Sequence, residues 1–323
     1  IAEWGREKDM NLEGAHTVID ANGVTLAPGL IDSHIHPVVG DYTPRQQQLH
    51  WIDSTLHGGV TTLISAGEVH MPGRPKDVVG LKAMAIASQR WYENFRPSGM
   101  KVHAGAPVIE HGMVEEDFKD LADAGVTLLG EVGLGTVKDG KTAQQMVSWA
   151  RKYGIQSTIH TGGPSIPGSG LIDADMVMET GTDVIGHING GHSALPDDQI
   201  ICLCEGCKAA FEIVHNGNER AAVLTVNTAR ELGKLDQVIL GTDGPAGFAD
   251  DRDAFRLWQR ACGNRVLLWQ WQHLAPAQAG YRAYRKGHVC GFCADGSGAT
   301  CPRQEYLRER AIRELTGRWH DRD

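Results

Sequence analysis

Leu30-Ile31-Asp32-Ser33-His34-Ile35-His36-Pro37 runs from an apolar stretch into two histidines with one residue between them. On an extended strand successive side chains alternate faces, so His34 and His36 project the same way. Two neutral imidazoles leaving the end of a buried strand together make a poor core and a good pair of ligands for a first-row metal. The pair alone also fits two unrelated residues at a strand end. Its meaning rests on what the rest of the chain places beside it.

Downstream, short apolar runs alternate with helical patterns. Further strands are predicted at residues 60–65, 101–106, 127–131, 156–160, 183–187, 209–214 and 237–243. Helices are predicted near residues 76–95, 115–124, 142–153, 173–179, 197–205 and 219–232. Eight strands trailed by helices imply an α/β fold, a (β/α)8 TIM-type barrel over residues 29–247. Strands that are apolar on both faces fit a sheet covered by helices. A doubly wound open sheet is the alternative, but no Gly-x-Gly-x-x-Gly loop follows the first strand. Upstream, residues 1–28 read as a strand, an Asn22-Gly23 turn and a second strand, expected as part of a small, incomplete β-sandwich domain. Residues 248–323 break the alternation and are expected to form an atypical tail; a reading-frame change near the Gly247 codon would account for it.

The 323 residues are 41% hydrophobic and 22% charged, ordinary for a soluble globular protein with a sizeable core. A net charge of −9 argues against a nucleic-acid surface. No run approaches the ~20 apolar residues of a membrane span, and the first residues carry no signal-peptide pattern. A cytoplasmic location without a membrane partner is therefore expected. The seven cysteines all lie at or beyond Cys202, which is no secreted disulfide framework. Cys204/Cys207 and Cys290/Cys293 are too far apart for a zinc ribbon, so reduced thiols are expected.

The polar residues at the C-terminal ends of the predicted strands are His34 and His36 on the first, Glu131 on the fourth, His160 on the fifth, His187 on the sixth and Asp243 on the eighth. In a (β/α)8 barrel these ends line one mouth, where the active site lies. Each residue has an ordinary explanation by itself, such as a helix cap or turn for Asp243. Four imidazoles and two carboxylates converging at one mouth are hard to satisfy without cations. With divalent metals they become a coordination set. His57, His70 and His103 do not fall on this pattern, and His57 is expected at a helix end.

With these residues the chain resembles the amidohydrolase superfamily of metal-dependent hydrolases, through residues 28–36, Gly58-Gly59-Val60-Thr61-Thr62, His160, His187 and Asp243. Within it the chain is most similar to the enamidases, through residues 40–46, 72–77, 130–136, His160-Thr161-Gly162-Gly163 and His187-Ile188-Asn189-Gly190-Gly191. The resemblance covers residues 17–247. It implies two divalent metal ions, zinc and/or iron: the first on His34 and His36, the second on His160 and His187, with Glu131 bridging. Many members of the superfamily have a carboxylated lysine where Glu131 stands. Asp243 is implied to touch the first metal and to carry the proton. The implied reaction is hydrolysis of a cyclic amide C–N bond, with 6-oxo-1,4,5,6-tetrahydronicotinate giving 2-formylglutarate and ammonia, as in nicotinate degradation. Arg45, Arg74 and Asn189 are expected substrate contacts, and a homo-oligomer is common in such families. The alternatives are another cyclic amidohydrolase (dihydroorotase- or hydantoinase-like), a peptidase-type member, or a catalytically silent metal-binding barrel.

Overall fold

The structure, a computed structural model, describes residues 29–37, 51–52, 55–68, 73–190 and 193–244. The expected β-domain of residues 1–28, the tail of residues 248–323, His70 and Arg45 lie outside them. Eight strands follow in order: β1 (Leu30–Ile35), β2 (Val60–Ser65), β3 (Lys101–His103), β4 (Leu128–Val132), β5 (Gln156–Ile159), β6 (Val184–Ile185), β7 (Ala210–Val214) and β8 (Val238–Gly241). Six helices alternate with the later ones: α1 (Val78–Asn94), α2 (Glu115–Asp123), α3 (Gly140–Lys152), α4 (Ala174–Thr180), α5 (Asp197–Gly206) and α6 (Glu219–Glu231). A short helical turn at residues 55–57 precedes β2, and the exposed His57 ends it. No helix among the described residues is long and apolar enough to cross a membrane.

All ladders are parallel. β1-β2-β3 form one run and β4-β5-β6-β7-β8 another. The runs meet at both seams. Past the end of β3, the Pro107 carbonyl accepts the Gly130 N–H of β4 at 3.0 Å. Past β8, the Asp243 N–H donates to His34 O at 2.9 Å, and the His36 N–H donates to Gly244 O at 2.8 Å. The sheet thus closes into the expected TIM-type barrel. β3 is shorter than expected, because residues 104–107 leave the ladder to make the first seam.

Alternation sorts the core into two layers. Ile31, Ile64, Ala106, Leu128, Val184, Ala210 and Ile239 form the inner layer. Their sequence neighbours Leu129, Ile185, Phe211 and Val238 turn outward and pack with Phe118, Leu121, Met146, Val177, Leu203 and Val226 from the helices. Side-chain caps start four of those helices. Asp77, Asp139, Asp173 and Asn218 accept the N–H of Gly80, Thr142, Met176 and Ala221 respectively. Each satisfies a donor that the first helical turn leaves unpaired.

Of the three register shifts in these ladders, two serve the mouth. In β1, Asp32 pairs with Leu63 but Ile35 with Ser65, so three steps on β1 match two on β2. Ile35 therefore joins the outer cluster with Leu63, Tyr92 and Val102, while Ile31 faces inward. His34 and His36, on either side of Ile35, gain the inner face. In β4, Leu129 pairs with Ser157 but Val132 with Ile159, again one residue extra. Leu128 is inward and Val132 outward, so the bulge turns Glu131 in. Gly130 makes this possible. A Cβ there would lie 2.6 Å from the carbonyl oxygens of both Ala66 and Ala106, closer than real atoms approach.

Candidate metal centre

The strand ends deliver all six expected side chains to one place. His34 and His36 leave β1, Glu131 lies in β4, His160 follows β5, His187 follows β6 and Asp243 follows β8. The four histidines and Glu131 are each at most 5% exposed. His187 and Asp243 hold positive φ angles of 30° and 60°; apart from glycines, Ser98 is the one other described residue with positive φ. Such backbone concentrates where a site has to be aimed.

Ligand-type atoms fall into two triads, His34/His36/Glu131 and Glu131/His160/His187, each with its atoms within 4.8 Å of one another. Glu131 belongs to both. Its Oε1 lies 2.7 Å from His187 Nε2, 3.3 Å from His160 Nδ1 and 3.7 Å from His34 Nε2, and its Oε2 lies 3.7 Å from His36 Nε2. Asp243 Oδ1 stands beside the first triad, 3.1 Å from His36 Nε2 and 3.7 Å from His34 Nε2.

The hydrogen bonds behind the rings test whether cations fit. His36 Nδ1 donates to Gly67 O at 2.7 Å, and His160 Nε2 donates to Gly163 O at 2.8 Å. His34 Nδ1 donates to Glu212 Oε2 at 2.5 Å. Each outer nitrogen thus carries the proton, and the inner nitrogen turns its lone pair on a carboxylate. Lone pair facing anion is repulsive unless a proton or a cation stands between. His34 Nε2 is buried without a hydrogen-bond partner. Its 3.7 Å gap to Glu131 and Asp243 is too long for a hydrogen bond. It suits two ligands of one ion, each at about 2.0–2.2 Å from it. The residues fit divalent cations.

Without cations, protons take their places. Burial pulls His34 and His187 toward the neutral form. Glu212, Glu131 and Asp243 outweigh it for His34, and Glu131, Asp243 and Glu212 outweigh it for His187, pushing both up to about 9. His36 is raised too, against burial, by Asp243 and Glu131. Burial acts to raise Asp243, but the neighbouring histidines prevail and hold its carboxyl down at about 2. Glu131 is likewise held well below the usual carboxylate range, with the bonds from His160 and His187 overcoming burial.

Three buried side chains behind the centre escape a reading of the sequence. Glu212 on β7 supports His34. Ser33 donates to Glu212 Oε1 at 2.5 Å. Asp32 accepts the Thr242 N–H at 2.9 Å and the Thr242 hydroxyl at 2.5 Å, tying β8 to β1. The signal for Glu212 was present: an acid in the middle of the apolar run Ala210-Phe211-Glu212-Ile213-Val214.

Asn189 is tied to the neighbouring strand. Its amide donates to Val214 O at 3.0 Å and accepts the Val214 N–H at 2.9 Å, so it works as a strut to β7. Arg74 sits in the loop after β2, with Nη2 2.9 Å from Glu110 Oε1. Its side chain is 6% exposed, and Nη1 is buried without a partner. Glu110 Oε2 in turn accepts the Thr136 N–H at 2.7 Å. The loops after β2, β3 and β4 are thereby joined at the mouth.

No protein-family model matches the chain. An enamidase from Eubacterium barkeri is 49% identical over 247 residues, which is 76% of this chain and 64% of that one. A dihydroorotase from Wolbachia is 22% identical over 240 residues, covering 72% of this chain and half of the other. A crystal structure of enamidase, described as a new member of the amidohydrolase superfamily, superposes with a TM-score of 0.70 at 48% identity. That match covers 75% of this chain and 63% of the enamidase. The chain thus spans a little under two thirds of the enamidase's length.

Proposed function

We propose, from this likeness to enamidase of the amidohydrolase superfamily, that the barrel hydrolyses the C–N bond of a cyclic amide with two divalent cations. The observation that carries the reading is the paired triad sharing Glu131, with the outer nitrogens of His34, His36 and His160 tied to acceptors. His34 and His36 would hold one cation, His160 and His187 the other, and Glu131 both. Imidazole and carboxylate donors suit zinc and iron. When bound, such a pair supplies Lewis acidity, making a water acidic enough to ionise near neutral pH and polarising an amide carbonyl.

The protein's own groups do the rest. Asp243 is ionised, and its side chain is 22% exposed, so it is the one member of the set open to the mouth. Its Oδ1 stands 3.1 Å from His36 Nε2, beside the first triad. Asp243 takes the proton of the attacking water and returns it to the leaving nitrogen, the exchange a positioned general base makes possible.

The substrate that best suits the likeness is 6-oxo-1,4,5,6-tetrahydronicotinate. Opening its ring yields an enamine, and hydrolysis of the enamine gives 2-formylglutarate and ammonia. Arg74 is the anchor for the substrate carboxylate: its Nη1 is a buried donor with no partner, on a loop at the strand ends. Arginine suits a carboxylate because its donors form a planar fork.

A panel of cyclic amides read by ammonia release tests this reading. It should include the tetrahydronicotinate, the same ring without its carboxylate, dihydroorotate and a hydantoin; ring opening of the last two is followed by ultraviolet absorbance. Metal-dependent ammonia release from the first substrate, far above the rest, is expected. Turnover of dihydroorotate with none of the enamide would overturn it.

A further inference from the structure

Glu212 is fully buried in the middle of β7, and no step described above uses it. Its surroundings are specific. Oε2 accepts the Nδ1–H of His34 at 2.5 Å. Oε1 accepts the hydroxyl of Ser33 at 2.5 Å. The backbone N–H of His187 points at Oε2 from 3.4 Å. One carboxylate therefore touches a ligand of each triad. Neither of its two oxygens has a lysine or arginine among these partners, and a buried carboxylate needs compensation.

His36 and His160 have neutral main-chain carbonyls behind them, those of Gly67 and Gly163. His34 alone among these three has an anion behind it. A carboxylate at Nδ1 fixes the proton there, bares Nε2 toward the cation and makes the ring a stronger donor. Ser33 in turn holds the carboxylate in place from β1, on the far side of β8.

We propose that Glu212 is the positioning residue of the His34/His36 half of the centre, setting both the tautomer of His34 and the affinity for the first cation. The inference rests on the two-cation reading of the site and goes beyond it, since it is independent of the substrate.

The test is a titration of the metal-free protein with Zn²⁺ against a chromophoric chelator. It compares wild type with Glu212→Met, Glu212→Gln and Ser33→Ala, and nitrogen-15 NMR reads the His34 ring in parallel. In Glu212→Met one of the two zinc ions should bind 10- to 100-fold more weakly, the usual effect of losing such a partner. The other should bind within about threefold of wild type, the ordinary scatter of distant effects. The Nδ1–H signal of His34 should disappear. Glu212→Gln keeps an acceptor but loses the charge, and should fall between wild type and Glu212→Met. If Glu212→Met does not fold, Ser33→Ala decides: one affinity several-fold weaker supports the proposal, and two unchanged affinities overturn it. Wild-type affinities and an unaltered His34 resonance in Glu212→Met overturn it as well, as does an equal weakening of both ions. Site-selective loss of zinc in a protein inactive on the enamide would uphold this inference while refuting the substrate reading.

Discussion

Raising the pH of the metal-free protein should unfold it more readily, and the size of the effect follows from the site. His34 and His187 sit at about 9 in the folded chain, with burial opposing and the surrounding carboxylates prevailing. In the unfolded chain an imidazole titrates near 6.5. Between those values the folded chain holds more protons than the unfolded one, so stability falls as pH rises. The contribution is complete below about pH 6.5 and is lost by the time pH has passed 9. At about 1.4 kcal/mol per pH unit, one imidazole accounts for about 3 kcal/mol. The two rings share Glu131, so they titrate as a pair and their effects do not simply add. Taking one ring as the floor, and about 2–4 °C per kcal/mol for a barrel of this size, Tm should drop by about 10 °C. The assay is differential scanning fluorimetry of chelator-treated protein from pH 6 to pH 10, with and without zinc. Zinc should remove the slope, because a cation occupies the place the protons leave. A metal-free Tm that is flat or rising from pH 6.5 to 9 would refute the reasoning.

Other perturbations act on separate parts of the site. Asp243→Asn should lower kcat by about 10²–10⁴, the span of a lost general base, measured by steady-state ammonia release at saturating metal. Arg74→Lys keeps a charge for Glu110 but loses the second arm of the fork. Its KM for a carboxylated substrate should rise about tenfold or more, as expected for a charge-assisted bond of about 1.5–3 kcal/mol, and should not change for the same ring lacking the carboxylate. Gly241→Ala would put a Cβ 2.6 Å from His34 Cβ and 3.0 Å from its backbone nitrogen. Thermal unfolding should show a loss of about 1–3 kcal/mol, and metal content should fall with it.

The two histidines of the opening stretch carried much of this account because the side-chain period of a strand is simple. Six polar residues at the ends of five of the eight strands pointed to one mouth, and the structure brings all six together. The strand and helix alternation was equally legible, since apolar runs bounded by glycines leave few other readings. What escaped were departures from strict alternation. Counted from the inward Ile31, His34 would turn outward; the extra residue in β1 reverses this, and no residue type announces it. The bulge that turns Glu131 inward is marked only by Gly130, one glycine among many. Glu212 passed as a strand residue because its partners are 178 and 179 positions away in the chain. The bonds that tie the Asn189 amide to Val214 were equally hidden, 25 positions along the chain. Burial partners of this kind depend on the closed barrel, not on local pattern.

The most direct test of the two-cation centre is anomalous diffraction from zinc-loaded crystals of the protein, recorded on both sides of the zinc edge. Two peaks per chain are predicted, both in contact with Glu131, one beside His34 and His36 and the other beside His160 and His187. A single peak, or peaks that leave Glu131 without a metal, would contradict it.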